Sequence, residues 1–333
     1  MADQAPAVTA ILLSCNCAGV IRAALQSVLG QQGPPLEVLV SDDASTDDTF
    51  AVLERELAGY SGPHHVLLRR RAQNSGSKSA HLNEVFPLTR GRYLVSFDGD
   101  DVSEPQRVQR LLAAFAADPR ARAVYSDYSI MDPAGRAGAR RRVRHPPAGT
   151  DPRPWFARID AFASGTTLAV RREVVEVFGP LDPQVHEDVA LPFRAALLGT
   201  VHHVDEPLVR VRRRGDSLTA AYGRFASIED YRDWWRRGIE GAGRHLASRL
   251  ADLATAEGLS LVPPAELGRL AEIARESLAE AEASAGLVSP SPLRRLRTYA
   301  WLARNGMPRD ELLLNAALVL APRLYLRYKR RRP

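Results

Sequence analysis

Four groups of polar residues in this chain could do chemistry together. Asp98-Gly99-Asp100-Asp101 follows the apolar run Tyr93-Leu94-Val95-Ser96-Phe97, so several carboxylates are delivered at the exit of a buried strand. Crowded like charges are costly unless a cation or strong donors sit among them. Oxygen ligands of this kind suit Mg²⁺ or Mn²⁺ shared with phosphate groups. Taken alone, an Asp-x-Asp reads more readily as an acidic turn capping the helix that begins near Glu104-Pro105. It does not stand alone. Asp42-Asp43-Ala44-Ser45 also ends an apolar run, Asn74-Ser75-Gly76 opens a helical stretch through Ala80 and Asn83, and Glu187-Asp188 precedes the apolar Val189-Ala190-Leu191.

The elements that must position these groups alternate in type. Apolar runs predict strands at Val8 to Ser14, Leu36 to Ser41, His65 to Arg69 and Tyr93 to Phe97, and helical spacing predicts helices at Val20 to Leu29, Asp47 to Leu57 and Lys78 to Phe86. Ser45 or Thr46 is the expected N-cap of the second helix. Alternating strands and helices imply an α/β fold around a mostly parallel sheet, with helices on both faces. Ligands in such sheets bind beyond the carboxyl ends of the strands, where Asn16, Asp42 with Asp43, and Asp98 to Asp101 would converge. Gly135 to Pro154 reads as a mobile connection or a small hairpin loop. Order resumes at Ile159 to Val170, followed by helices at Arg171 to Phe178 and His186 to Leu198, and strands at Val201 to Val204 and Leu208 to Arg212. Beyond Gly223 the pattern is helical, with pieces at Ser227 to Ala254, Pro264 to Ala285, Pro292 to Arg304 and Arg309 to Arg330.

Composition narrows the class. The chain has 333 residues, 45% of them hydrophobic and 25% charged, as in a soluble globular protein of about two domains. Its net charge of +6 matches the six basic residues of the segment Arg323 to Pro333, which points to a local anionic contact and away from a nucleic-acid-coating surface. Cys15 and Cys17 form no disulfide framework and lack the second pair that a zinc site needs. With no signal-like N-terminus and no run long enough to span a bilayer, a cytoplasmic location is expected.

The four motifs in this order resemble the family 2 glycosyltransferases of GT-A fold, in the arrangement common among bacterial enzymes that build surface polysaccharides. The resemblance covers about residues 7 to 219. It implies a nucleotide-sugar donor, a divalent metal (Mn²⁺ or Mg²⁺), and a glycan or lipid-linked glycan acceptor. Within Asp42 to Ser45, Asp43 matches the residue that contacts the donor's base, and a carboxylate there accepts the imide N–H of uracil or thymine. Asp98 would lie toward the ribose and share with Asp100 the metal that bridges the diphosphate. Ser14, Asn16 and Asn74 join the donor side. Asp188 matches the general base of an inverting displacement, with Glu187 orienting it or the acceptor; the competing reading is a carboxylate stabilised by its own helix dipole. Ser164 and Gly165 match the small-residue loop on the acceptor side.

Two departures stand out. Cys15 occupies a position where many relatives stack an aromatic ring on the base, and Val211-Arg212-Arg213-Arg214 replaces their Tyr-Arg-x-His. Arginine has no lone pair for a metal, so Arg212 or Arg214 is expected to grip the diphosphate directly. The pairs His64-His65 and His202-His203 read as structural, and His186 as exposed.

The expected organisation is a GT-A domain over 1–222 and a helical extension over 223–333. The basic, tyrosine-bearing end of that extension suits either an anionic membrane surface on the inner face of the cell membrane or a core helix with a solvated tail. A homo-oligomer is compatible with the sequence. Two other functions stay open: a catalytically inactive scaffold, and a sugar nucleotidyltransferase, for which Asn16-Cys17-Ala18-Gly19-Val20 lacks the usual Gly-rich basic loop.

Overall fold

Strand β1 (Val8–Ser14) is buried along its whole length, and its side chains alternate between two cores. Ile11 and Leu13 join one apolar cluster and Val8, Ala10 and Leu12 the other, so the strand must be covered on both faces. The computed structural model describes residues 6–132, 135–147, 149–212, 227–304, 316, 319 and 320. Parallel to β1 on either side run β2 (Glu37–Asp42) and β4 (Tyr93–Asp98), and β3 (His65–Arg70) pairs parallel with β2 at the edge.

Beyond β4 the sheet becomes mixed. Its remaining strands are β5 (Val102–Ser103), β6 (Ala121–Met131), β7 (Ala137–Arg141), β8 (Ala169–Arg171) and β9 (Thr200–Arg212). The order is β3-β2-β1-β4-β8-β6-β9-β5, with β8 antiparallel to both neighbours, β9 parallel to β6, and β7 an antiparallel partner of β6 outside that path.

Helices cover both faces. On the Val8 side lie α1 (Ile21–Leu29), α2 (Thr49–Leu57) and α4 (Arg107–Ala117). Ile21, Ala24, Leu25 and Val28 of α1 are the buried stripe of an amphipathic helix. On the Ile11 side lie α3 (Lys78–Val85), α5 (Arg153–Ala157), α6 (Glu173–Phe178) and α7 (Glu187–Leu198).

The long α8 (Ile228–Gly258) opens with a reciprocal Ser227–Asp230 capping box. With α9 (Pro264–Ser284) it adds Leu253, Ala256, Leu267 and Leu270 to the cluster that contains Ile11 and Tyr125. Buried Arg194 of α7 and Asp252 of α8 form an ion pair at 3.0 Å across that contact. Helix α10 (Pro292–Arg304) closes a smaller cluster with Tyr231, Leu287 and Val288. Among the described residues no helix is long and apolar enough to cross a membrane.

The elements expected in the first hundred residues lie within two residues of their observed bounds. The N-cap of α2 is a correction: Asp48 precedes the helix, Ser45 Oγ donates to Asp42, and Thr46 N–H donates to Asn16 Oδ1, because these hydroxyl and amide groups close one loop onto another. The two expected strands at Val201–Val204 and Leu208–Arg212 are one, β9, whose register against β6 shifts around Asp127. Gly135 to Pro154 contains the hairpin strand β7. The expected helix at Arg309 to Arg330 and the tail from Arg323 lie outside the described residues.

Candidate active site

The strand order places β2 and β4 on opposite sides of β1, and a crevice opens where the chain leaves their carboxyl ends. Two loops shape its β1–β2 side. Asn16 and Ala44 both take left-handed backbone conformations (φ 48° and 55°), which in non-glycine residues persist only when surrounding bonds hold them. Those bonds are present: Asn16 N–H donates to Ser45 Oγ at 2.9 Å, Cys17 N–H to Thr49 Oγ1 at 2.8 Å, and Ala18 N–H to Asp47 at 3.0 Å. Ser14 is buried, its hydroxyl donating to the fully buried Asp42 carboxylate at 3.1 Å. Ser14, Asp42 and Asn16 therefore build the loops from within.

Asp43 faces the third segment. Its carboxylate takes Arg71 Nη1 at 2.7 Å, Ser75 N–H at 2.8 Å and Ser75 Oγ at 2.6 Å, while its backbone carbonyl accepts Asn74 Nδ2 at 3.0 Å. Burial pushes this carboxyl up, but the bonds from Ser75 and Arg71 outweigh it and hold it below the usual range. It is ionised at neutral pH. A carboxylate has about four acceptor positions, so one is left for a ligand. Cys15 is exposed beside it, with Asn74 Nδ2 at 3.3 Å from its sulfur.

The carboxylates that leave β4 turn tightly, Asp101 N–H donating to the Asp98 carbonyl at 3.1 Å. Gly99 is required there, because a Cβ would press on the Leu13 carbonyl and on Ser14 and Cys17. Arg212, at the end of β9, meets this turn from the far side. Its backbone N–H donates to Asp101 at 2.9 Å and its Nε to the Asp100 carbonyl at 3.1 Å. Burial, then the charges of Asp98 and Asp100, push the Asp101 carboxyl up. Beneath them Arg107 is wholly buried, bonded to Ser103 and the Ser96 carbonyl and lying 4.5 Å from the Phe97 ring.

The base motif arrives on the first turn of α7. Lys78, the first residue of α3, joins it to the β4 loop, its Nζ lying 2.6 Å from Asp98 and 2.9 Å from Glu187. Although burial opposes the charge, Asp98 and Glu187 hold the ammonium well above the ordinary lysine range. Burial and then Glu187 push the Asp188 carboxyl up, while Lys78 and the Gly165 N–H partly offset them. Gly165 has a steric reason to be glycine: a Cβ would collide with Glu187 Oε1. Ser164 precedes it in the same turn, and Ala163 N–H donates to the Asp188 carbonyl at 3.0 Å.

Of the residues expected at a site, Asp43, Asn74, Asp98, Asp100, Glu187, Asp188, Ser164, Gly165 and Arg212 come together around this crevice, with Ser14 and Asn16 supporting it. Arg213 and Arg214 lie outside the described residues. His64, His202 and His203 are taken up structurally by the Leu36 N–H, Asp118 and Asp127, and His186 is exposed, packing edge-on to His245 at 5.8 Å. Sequence reasoning missed Lys78, Arg71 and Ser75. Each lies in or beside the Asn74 motif, but only the folded chain shows which carboxylates they meet.

No group of three metal-ligating side chains is assembled among the described residues. A cation that takes its remaining ligands from phosphates and water needs only one or two carboxylates. Asp98 and Asp100 are carboxylates of that kind, with Lys78 already paired to Asp98.

Over residues 9–179 the chain matches the model of glycosyl transferase family 2. It is 32% identical over 132 residues to the chondroitin synthase of Escherichia coli, across 40% of this chain and 18% of the synthase. It is 29% identical over 168 residues to EpsE of Bacillus subtilis (strain 168), across 50% of this chain and 57% of EpsE, so it spans only part of either relative. Two solved structures share the fold. TarS 1–349 of S. aureus in complex with UDP-GlcNAc gives a TM-score of 0.51 at 16% identity, covering 91% of this chain and 93% of that one. Mannosyltransferase PcManGT from Pyrobaculum calidifontis, in complex with GDP-Man and Mn²⁺, gives 0.53 at 21% identity, covering 98% and 84%. With just over half of its length matched by the family model, the chain belongs to glycosyl transferase family 2.

Proposed function

We propose that this chain is an inverting glycosyltransferase that moves a sugar from a UDP- or dTDP-linked donor to a glycan or lipid-linked glycan in bacterial polysaccharide synthesis. The observation that carries the reading is the meeting of two carboxylate sets with opposite tasks. Lys78 bridges Asp98 of one set to Glu187 of the other, and Asp188, next to Glu187, has a raised pKa; on this reading Asp98 and Asp100 would hold a diphosphate-bound cation. A general base works best when its pKa lies near the working pH.

On this reading Asp188 takes the proton of the acceptor hydroxyl as its oxygen bonds to the anomeric carbon. The bond from that carbon to the diphosphate breaks, and its electron pair stays on the departing phosphate oxygen. One displacement inverts the anomeric centre. Asp98 and Asp100 would hold Mn²⁺ or Mg²⁺, which when bound neutralises charge on the leaving diphosphate. Arg212, its Nε held by the Asp100 carbonyl, brings a positive charge to the same phosphates. Asp43 offers its remaining acceptor position to an imide N–H. The structural neighbours bind UDP-GlcNAc and GDP-Man respectively, so the fold by itself does not choose the base. Asp43, in its ionised state, accepts the ring N–H of uracil or thymine, which cytosine lacks. The segment Arg323 to Pro333, outside the described residues, supplies the charge for a peripheral contact with anionic lipid.

Calorimetric titration with UDP, dTDP, GDP and CDP, each with Mn²⁺ and with EDTA, tests the donor reading. Metal-dependent binding of UDP or dTDP is expected. Failure of all four to bind would favour the inactive scaffold.

A further inference from the structure

The hairpin strand β7 occupies an unusual place in the sheet. β6 has β9 along one side for its whole length, while its other side is shared. β8 pairs with its first half (Ala123, Val124) and β7 with its second half (Tyr128 to Met131). β8 also pairs with β4, at Val95. Counting along the register, Arg141, opposite Tyr128 and in line with β8 beyond its end, is level with Gly99, the residue that follows β4. The second edge of β7 pairs with no strand among the described residues, and by this register it lies on the side toward the loop that follows β4. The turn leading into β7 comes near Arg212 as well: a Cβ at Gly135 would lie 3.9 Å from Arg212 Nη2.

This edge is strongly basic. Residues 135–147 carry Arg136, Arg140, Arg141, Arg142 and Arg144 and no acid. Arg136 pairs with Asp132, and Arg140 with Asp127 and Asp205. Arg141, Arg142 and Arg144 are exposed, and no carboxylate among the described residues pairs with them. Arg144 lies 5.6 Å from the Trp155 ring. The strand is held rigidly at its base: the fully buried Asp127 carboxylate takes Arg140, the Val143 N–H at 2.8 Å and His203 at 2.7 Å, and His145 stacks on His203 at 4.3 Å. The charges are therefore presented on a fixed edge beside the site, where a loose tail would lose more side-chain and backbone freedom on binding.

We propose that the β7 edge is an acceptor-side subsite for an acidic glycan, whose carboxylate or phosphate groups pair with Arg141, Arg142 and Arg144 while its sugar end enters the crevice. The proposal rests on the reading of that crevice as a glycosyltransferase site. A glycan is favoured over a lipid surface because the strand exposes small residues and arginines, Gly138, Ala139 and Arg140 to Arg142, with no large apolar side chain to enter a bilayer. An extended polyanion also suits three exposed guanidinium groups close together in the chain, each able to take a carboxylate or phosphate with two donors.

The test uses the full chain and a variant carrying Arg141→Ala, Arg142→Ala and Arg144→Ala, all exposed positions. Binding of a uronic-acid oligosaccharide, a neutral glucan oligosaccharide of equal length, and phosphatidylglycerol vesicles is measured at low and high salt. The uronate probe should bind the unmodified chain, weaken with salt, and lose roughly tenfold or more in affinity in the variant, with no binding of the neutral glucan. Equal uronate binding by chain and variant would overturn the proposal. So would binding of the vesicles through these arginines without binding of the uronate probe, which would make the edge a membrane contact. Titration of both proteins with UDP and Mn²⁺ separates the two readings: uronate binding without nucleotide binding removes the donor reading alone, and nucleotide binding without uronate binding removes the subsite alone.

Discussion

Asp188 and Lys78 are the residues on which the proposed chemistry turns. Asp188 acts as a base only when deprotonated, and burial followed by Glu187 raises its pKa. Activity should therefore climb with pH through a limb above the ordinary carboxylate range. Glu187→Gln removes a repelling charge and should move that limb to lower pH, whereas Lys78→Met removes a stabilising charge and should move it higher. A pH–rate profile that stays put in both variants, or shifts the same way in both, contradicts this arrangement. The glycines sort themselves by what a side chain would meet. At Gly165 a Cβ meets the flexible ends of Glu187 and Lys78, so Gly165→Ala should displace Glu187 from Lys78 and lower activity with little change in melting temperature. At Gly91 it meets the backbone of Val8 and Thr9, so Gly91→Ala should destabilise the fold by about 1–3 kcal/mol or more in urea titration. Similar stability losses in the two variants would refute the distinction.

Among the elements, those that carry the donor loops were legible because each strand of the first half is a short apolar run ended by acid and followed by a helical stripe. β6 was not legible. Its sequence Ala121–Met131 mixes Arg122, Ser126, Asp127 and Ser129 into the apolar pattern, since it bends at a register shift and buries Asp127 against Arg140 and His203. Local periodicity cannot announce a buried acid whose partners lie 13 and 76 residues away. Lys78 escaped for the same reason: its place in the Asn74 motif was visible and its partners were not. The join between α7 and α8 was equally hidden. Arg194 and Asp252 are each about 5% exposed or less, and breaking one partner of a buried pair leaves a bare charge behind. Asp252→Ala should cost about 3–5 kcal/mol, measured by denaturant unfolding. A cost below 1 kcal/mol would show the pair to be dispensable.

For the whole molecule, the sequence motifs suggested a catalytic unit followed by a helical extension, and the packing links the two. Leu253, Ala256, Leu267 and Leu270 bury themselves in the core that holds Ile11 of β1 and Phe193 of α7, the helix bearing the base motif. A chain ending at residue 222 would expose that core, and it should lose cooperative unfolding and aggregate; a soluble fragment with a sharp transition would show that the extension is dispensable for folding. The central claim is that Asp188 removes the acceptor proton at a site whose donor pocket it does not help to build. Release of nucleoside diphosphate from saturating donor, compared between the unmodified chain and Asp188→Asn, tests it most directly. The rate should fall by about 10²- to 10⁴-fold while the donor dissociation constant stays the same. A variant that releases nucleotide at a near-normal rate would remove Asp188 as the base.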